Sequence, residues 1–225
     1  MGPAVGRDRR AGEGIKVAIT SRSQAAADEA AEVLNSVVPN STIAIESDVR
    51  NMKSQQAAVD KVVAEWGQLD YYIANAGVGY FAPLADLSAE QWNETIDVNL
   101  TGVFNGIKAA IPALKKTQGY FMTIASLAGT NFFAKGAAYN ASKFGLVGFT
   151  QAVMMDLRKY GIKATTIMPG SVSTHFNNNT PDDADAWKIQ PEDLGQMVVD
   201  LLKIHPRSLP SKVEVRPTVP PSAKK

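Results

Sequence analysis

The chain is expected to fold as a doubly wound α/β domain around a parallel sheet, and two features of the sequence carry that expectation. Short apolar runs rich in β-branched residues alternate with helical stretches of about ten residues or more, a pattern that requires right-handed crossovers and a sheet covered on both faces. The unusual residues Arg22, Asp48, Asn75, Ser126 and Gly170 each follow directly on such a run. That is where ligands collect in open parallel sheets, outside the carboxyl ends of the strands. At 225 residues the chain suits one domain spanning 1–225, large enough to bury a sizeable core.

The elements follow in order. Residues 15–20 (IKVAIT) read as a strand, and the alanine-rich stretch after SRSQ reads as a helix ending near Val38, before Pro39 and Asn40. A second strand covers 42–45. The helix over 54–66 carries Val59, Val62, Val63 and Trp66 on one stripe and stops at Gly67. Residues 69–74 (LDYYIA) form a third strand. Ser88 and Gln91 make a capping box for a long helix that runs to about Lys116, with a kink expected at Pro112. A strand at 120–125, a helix after Tyr139, a strand at 163–168, a helix opened by Pro191 and a strand at 212–216 complete the series.

Composition narrows the function classes. Apolar residues make up 45%, charged residues 20% and the net charge is +1, the balance of an ordinary soluble protein with no basic stripe for nucleic acid. Cysteine is absent and only His175 and His205 are present, which argues against a disulfide framework, a thiol nucleophile or a metal site. No apolar run reaches membrane-spanning length, and residues 1–14 lack the apolar region of a signal peptide, so a cytoplasmic location is expected. The N-x-S/T matches at Asn40, Asn93, Asn99 and Asn178 are then chance. Lys224 and Lys225 close a solvated tail over 218–225.

The chemistry-bearing stretch is YFMTIASLAGTNFFAKGAAYNASK, residues 120–143. On a helix, Tyr139 and Lys143 share one face, so a phenol and an ammonium point into the same space. A free tyrosine titrates near about 10, and an adjacent cation favours the phenolate and lowers that value. A hydroxyl at the end of the neighbouring strand, Ser126, completes a site suited to interconverting a carbonyl and an alcohol.

Ser126, Tyr139 and Lys143, in the setting IAS…YNASK, resemble the active site of the short-chain dehydrogenase/reductase family. The resemblance implies a Rossmann-like fold with catalytic Ser126, Tyr139, Lys143 and Asn99, the last within DVNLTG, where it bends its helix and orders a water linked to the lysine. It implies a nicotinamide cofactor held by further motifs. Asn75, Ala76 and Gly77 match the family's NAG motif, although a plain strand-to-loop turn also favours Asn and Gly. Asp48 and Val49 match its D-V pair, the carboxylate accepting from the adenine amino group; a helix N-cap is the plainer role. Pro169, Gly170, Val172 and Thr174 match P-G-x-V-x-T, which implies the Val172 backbone against the nicotinamide carboxamide and Thr174 on the same group or the diphosphate. Ser21 and Arg22 stand where NAD-preferring members carry an acidic residue. A hydroxyl and a guanidinium there suit the 2′-phosphate, so NADP(H) is preferred, with NAD(H) admitted.

The amino terminus departs from the family. Its T-G-x-x-x-G-x-G loop is matched by Gly2 and Gly6 with Met1 for threonine and Asp8 for the third glycine, or else residues 9–14 form the end of the first helix. Either way residues 1–14 are atypical and the first strand is absent. Two neighbouring strands are then left without ladder partners around an apolar gap, and each unpaired buried backbone group costs roughly 1 to 3 kcal/mol.

On the substrate side, residues 129–138 with Phe132 and Phe133, a mobile lid over 171–190 with Phe176 and Trp187, and Tyr80 and Phe81 suggest a partly apolar pocket; core or interface roles fit these aromatics equally. His175 reads as a polar loop residue. The leading function is an NADPH-dependent reductase similar to 3-oxoacyl reductases, acting on an oxoacyl thioester or simple ketone, as a homodimer or homotetramer joined through helices at 93–116 and 139–160. The competing one is a non-catalytic binding or assembly subunit with impaired cofactor binding.

Overall fold

The structure, a computed structural model, describes residues 14–221. The glycine-loop match at Met1, Gly2, Gly6 and Asp8 and the tail lysines Lys224 and Lys225 lie outside the described residues.

Among the described residues six strands form two parallel sheets. β1 (Val17–Ser21) pairs with β2 (Thr42–Glu46), while β3 (Tyr71–Ala74), β4 (Tyr120–Ile124), β5 (Lys163–Pro169) and β6 (Lys212–Val215) follow one another in a four-stranded sheet. Strands β4 and β5 read as unbroken apolar and threonine runs because they are buried on both faces, with Phe121, Met122, Ala164 and Ile167 fully covered. The expected break lies between β1 and β3. Among the described residues neither has a partner on its other side, and both line one cavity of about 790 Å³.

The helices follow the sequence closely. Helix α1 (Gln24–Val37) starts at Ser23, whose side chain accepts from the Ala26 amide. Helix α2 (Met52–Trp66) is capped by Asn51, whose side chain accepts from the amides of Lys53 and Ser54, and it stops at Gly67 with φ 78. The N-cap role considered for Asp48 therefore belongs to Asn51. Helix α3 (Ala89–Ile96) opens with the Ser88–Gln91 capping box, both halves formed.

The long helix is not continuous. A π-helical turn at Asp97–Thr101 separates α3 from α4 (Gly102–Thr117), whereas α4 runs unbroken through Pro112. The interruption is thus at Asn99, as the family likeness implies, and not at the proline. Helix α5 (Ala137–Leu157) packs on β5, and α6 (Pro191–Lys203) starts at Pro191. The main core lies between α4, α5 and β4, with Ile107, Leu114, Phe121 and Leu146 almost completely covered.

Loss of the Ser88 hydroxyl removes a cap worth about 1 kcal/mol. For Ser88→Ala, thermal denaturation should show the midpoint falling by about 2 to 4 °C.

Candidate active site

Strand β4 delivers Ser126 just beyond its carboxyl end, where an extended backbone (φ −177) turns into a 3₁₀ turn at Leu127–Gly129. The Ser126 hydroxyl accepts from the Ala128 amide at 3.1 Å. Helix α5 then returns across this turn. Gly129 permits the close approach, since a Cβ there would sit 2.7 Å from the Lys143 carbonyl oxygen. Tyr139 lies in the first turn of α5 and Lys143 one turn on, as their spacing requires.

Lys143 is 4% exposed, and its ammonium donates to the Ile124 carbonyl at 3.1 Å, two residues before Ser126. Burial lowers its pKa to about 8, because removing an ammonium from water penalises the charged form. The nitrogen lies 5.7 Å from the centroid of the Tyr139 ring. The phenol is shifted upward, not downward: burial dominates, and a hydrogen bond with Ser126 opposes it. The expectation that the adjacent cation lowers the phenol is corrected, since spacing specifies the shared face but not the desolvation of both groups.

Asn99 is fully buried and all of its amide is engaged. Its side chain accepts from the Val78 amide at 2.8 Å and donates to the Val78 carbonyl at 2.8 Å and the Ser142 hydroxyl at 3.0 Å. It therefore clamps the loop after β3 to α5. A Cβ at Gly77 would lie 3.5 Å from the Asn99 Oδ1 and 3.7 Å from the Lys143 Nζ, so the bare backbone of Gly77 forms one wall of the site.

Asn140 was not singled out by sequence reasoning. Its amide donates to the carbonyls of Ala128 at 2.7 Å and Asn131 at 2.9 Å, pinning the turn after Ser126 onto α5. The available signal was its place beside Tyr139 at the start of the helix, where it is one of several polar residues on the buried side.

The other expected residues divide by location. Ser21, Val49, Asn75 and Ala76 line the cavity between β1 and β3. Arg22 is half exposed at the end of β1, with its guanidinium 3.9 Å from Glu94. Asp48 is bound through both carboxylate oxygens by Arg50, at 3.0 and 2.6 Å, and this pairing holds it below the usual carboxylate range. Pro169 ends β5, and the Gly170 amide donates to the Val215 carbonyl at 2.8 Å. Val172 bridges to Ile189, which closes residues 171–190 into a loop, and the Thr174 hydroxyl accepts from the Phe176 amide at 3.3 Å.

Three of the expected aromatics gather at Tyr139. Phe81 meets its ring edge-on at 5.3 Å, Phe176 lies at 5.7 Å, and Phe133 stands 5.9 Å from Phe81. Phe132 is exposed instead, Trp187 has Lys188 near its ring, and the Tyr80 hydroxyl donates to Glu94 at 2.6 Å. Among the described residues no group of three or more His, Asp or Glu side chains is arranged to hold a metal ion, and no helix is long and apolar enough to cross a membrane.

The family model for short chain dehydrogenases matches residues 7–185. The chain belongs to that family. Among curated relatives, the trans-4-hydroxycyclohexanecarboxylate dehydrogenase of Sinomonas cyclohexanicum is 41% identical over 127 residues, covering 56% of this chain and 49% of that protein. The chain thus spans about half the length of that relative. Sepiapterin reductase of Chlorobaculum tepidum is 30% identical over 79% of this chain and 73% of its own. The alcohol dehydrogenase of Thermococcus sibiricus complexed with 5-hydroxy-NADP superposes with a TM-score of 0.86 at 26% identity, over 92% of this chain and 87% of that one. A 3-ketoacyl-ACP reductase from Sinorhizobium meliloti gives 0.82 at 28% identity, over 92% and 89%.

As a short-chain dehydrogenase the protein should hold a nicotinamide cofactor, and its own groups fit one. The ammonium of Lys143 has three donors, and one carbonyl is its protein partner, so the buried nitrogen has capacity for a ribose diol beside the bare wall of Gly77.

The depressed pKa of Lys143 has a consequence for stability. Its folded value of about 8 lies below the unfolded one, so the unfolded chain binds the proton more tightly and the cost to folding is fully present below about pH 8. That cost disappears as pH rises towards the unfolded value of about 10.4. Lys143→Met should raise the thermal midpoint at pH 7, and the difference from the native chain should shrink by pH 10 in paired denaturation curves.

Proposed function

We propose that the protein is an NADPH-dependent oxidoreductase interconverting a small ketone and its alcohol. The observation that carries this reading is the convergence of the Ser126 hydroxyl, the Tyr139 phenol and a buried, under-partnered Lys143 ammonium at one strand end.

In this reading the bound nicotinamide supplies or accepts the hydride. Tyr139 donates its proton to the carbonyl oxygen, and Ser126, whose hydroxyl lies close enough to the phenol to lower it, polarises and orients the same oxygen. The burial that raises the phenol keeps it protonated as the acid, and Lys143 would hold a nicotinamide ribose while its charge favours the phenolate left after proton transfer. Asn99 keeps the Gly77–Val78 backbone at its station and orders the proton path through α5. Ser21 and Arg22 receive the 2′-phosphate, Asn75, Ala76 and Gly77 the adenosine ribose, and Pro169, Gly170, Val172 and Thr174 the carboxamide side, with Asp48 and Val49 near the adenine. For Asp48 that role means sharing its carboxylate with Arg50.

Phe81, Phe133 and Phe176 around the phenol support an apolar or ring-shaped substituent on the carbonyl, a simple ketone ahead of an oxoacyl thioester. The ring alcohol in the name of the Sinomonas relative supports the same choice. Residues 171–190 act as the lid over this substrate. The exposed Phe104, Phe144 and Met155 on α4 and α5 support assembly into a homodimer or homotetramer in the cytoplasm. The second reading, a binding subunit without turnover, is separated from the first by the cofactor titration below.

With NADPH and a panel of cyclic and acyclic ketones, Tyr139→Phe should lower kcat by at least about a hundredfold. NADPH affinity, followed by fluorescence, should stay nearly unchanged; full activity in this variant refutes the assignment. In the native chain, absence of any NADPH binding at high micromolar concentration would select the non-catalytic reading. Arg22→Ala should weaken NADPH binding about tenfold while changing NADH binding little, since only the former offers the guanidinium a phosphate.

A further inference from the structure

We propose that Glu94 sets the balance between the phosphorylated and unphosphorylated nicotinamide cofactors by competing with the 2′-phosphate for Arg22. The inference rests on the reading in which Ser21 and Arg22 receive that phosphate, and it names the residue that works against them.

Three side chains from three parts of the chain meet at the strand ends. Arg22 follows β1, Tyr80 lies on the loop after β3, and Glu94 stands in α3. One Glu94 carboxylate oxygen is 3.9 Å from the Arg22 guanidinium, and the other accepts from the Tyr80 hydroxyl at 2.6 Å. A short bond from a phenol to an ionised carboxylate is a strong one and fixes the Glu94 side chain in place. That carboxylate in turn pushes the Tyr80 phenol above its ordinary value, so the hydroxyl stays a donor. The contact with Arg22 is of another kind. It is longer than a hydrogen bond, and the arginine side chain is 47% exposed.

The neighbouring ion pair shows the difference. Arg50 grips Asp48 through both carboxylate oxygens, at 3.0 and 2.6 Å, with Glu94 and Asp97 adding to the field around it. Asp48 and Arg50 thus satisfy one another and Tyr80 holds Glu94. Arg22 is the loosely held member of the cluster.

A cofactor meets this arrangement differently according to its phosphate. A 2′-phosphate would draw the guanidinium from Glu94 and bring a dianion near a carboxylate that Tyr80 retains. A ribose 2′-hydroxyl can instead donate to that carboxylate. Glu94 therefore supplies from α3 the acidic group that the sequence lacks after β1, and it keeps NAD(H) acceptable beside Arg22. An exposed ion pair is worth at most about fivefold in an equilibrium, and the repulsion between carboxylate and phosphate adds to it.

Glu94→Gln keeps the size of the side chain and an oxygen for Tyr80 while removing the charge. Fluorescence titrations of the full chain with NADPH and with NADH should show the ratio of their affinities shifting towards NADPH by about three- to tenfold at low salt. At about 0.5 M salt the shift should shrink, because the charges are then screened. A packing role for Glu94 would weaken both cofactors alike and would not respond to salt. The proposal is overturned if the ratio is unchanged, if it moves towards NADH, or if its shift is the same at both salt concentrations. Arg22→Ala measured in parallel separates two failures. If it weakens NADPH binding while Glu94→Gln changes nothing, the inference alone is wrong. If it leaves NADPH binding unaltered, or if the native chain binds neither cofactor, the reading beneath the inference falls with it.

Discussion

A buried ammonium sets the geometry on which the rest of the site depends. Lys143 reaches from α5 to the Ile124 carbonyl, and this single charge-assisted bond fixes how far the helix stands from the end of β4. Because Ser126 follows two residues after that carbonyl and Tyr139 one helical turn before the lysine, the hydroxyl and the phenol are brought together by the same contact. The cost of burying the cation is visible in its depressed pKa. A hydrocarbon of equal length would pack at lower cost, so the charge is retained for something other than stability.

Amides provide the second layer of positioning. Asn99 joins the loop after β3 to α5, and Asn140 joins α5 to the turn after β4. Both are saturated with partners, as buried amides must be. The π-helical turn is the structural consequence of the first: by opening the helical ladder at Asp97–Thr101, it presents the Asn99 side chain inward at a level that a regular helix would not reach. Gly77 and Gly129 serve the arrangement by having no side chain where the walls of the site close in.

Much of this was readable from the chain. Strand positions followed from apolar β-rich runs, and the first residues after them proved to be those gathered at the strand ends. Ser88 with Gln91 and Pro191 announced their helices because capping is a local property. The π-helical turn was harder to see from periodicity, since Asn99 is drawn in by partners 21 and 43 residues away. Pro112 lies inside α4 without ending it, so the break in the long helix is at Asp97–Thr101. The i, i+4 spacing placed Tyr139 beside Lys143, but the direction of the phenol's shift depends on how deeply the ring is covered by Phe81 and Phe176, which no spacing encodes.

The parted sheet divides labour between its two pieces. Ser126, Tyr139, Lys143 and Asn99 all belong to the four-stranded side or to helices packed on it, whereas Ser21 and Arg22 ride on the two-stranded side. Among the described residues the anchoring of Ser126 and Lys143 thus rests on β4 and α5 alone, so a substitution in β1 or β2 can weaken the Arg22 end without loosening the reactive one.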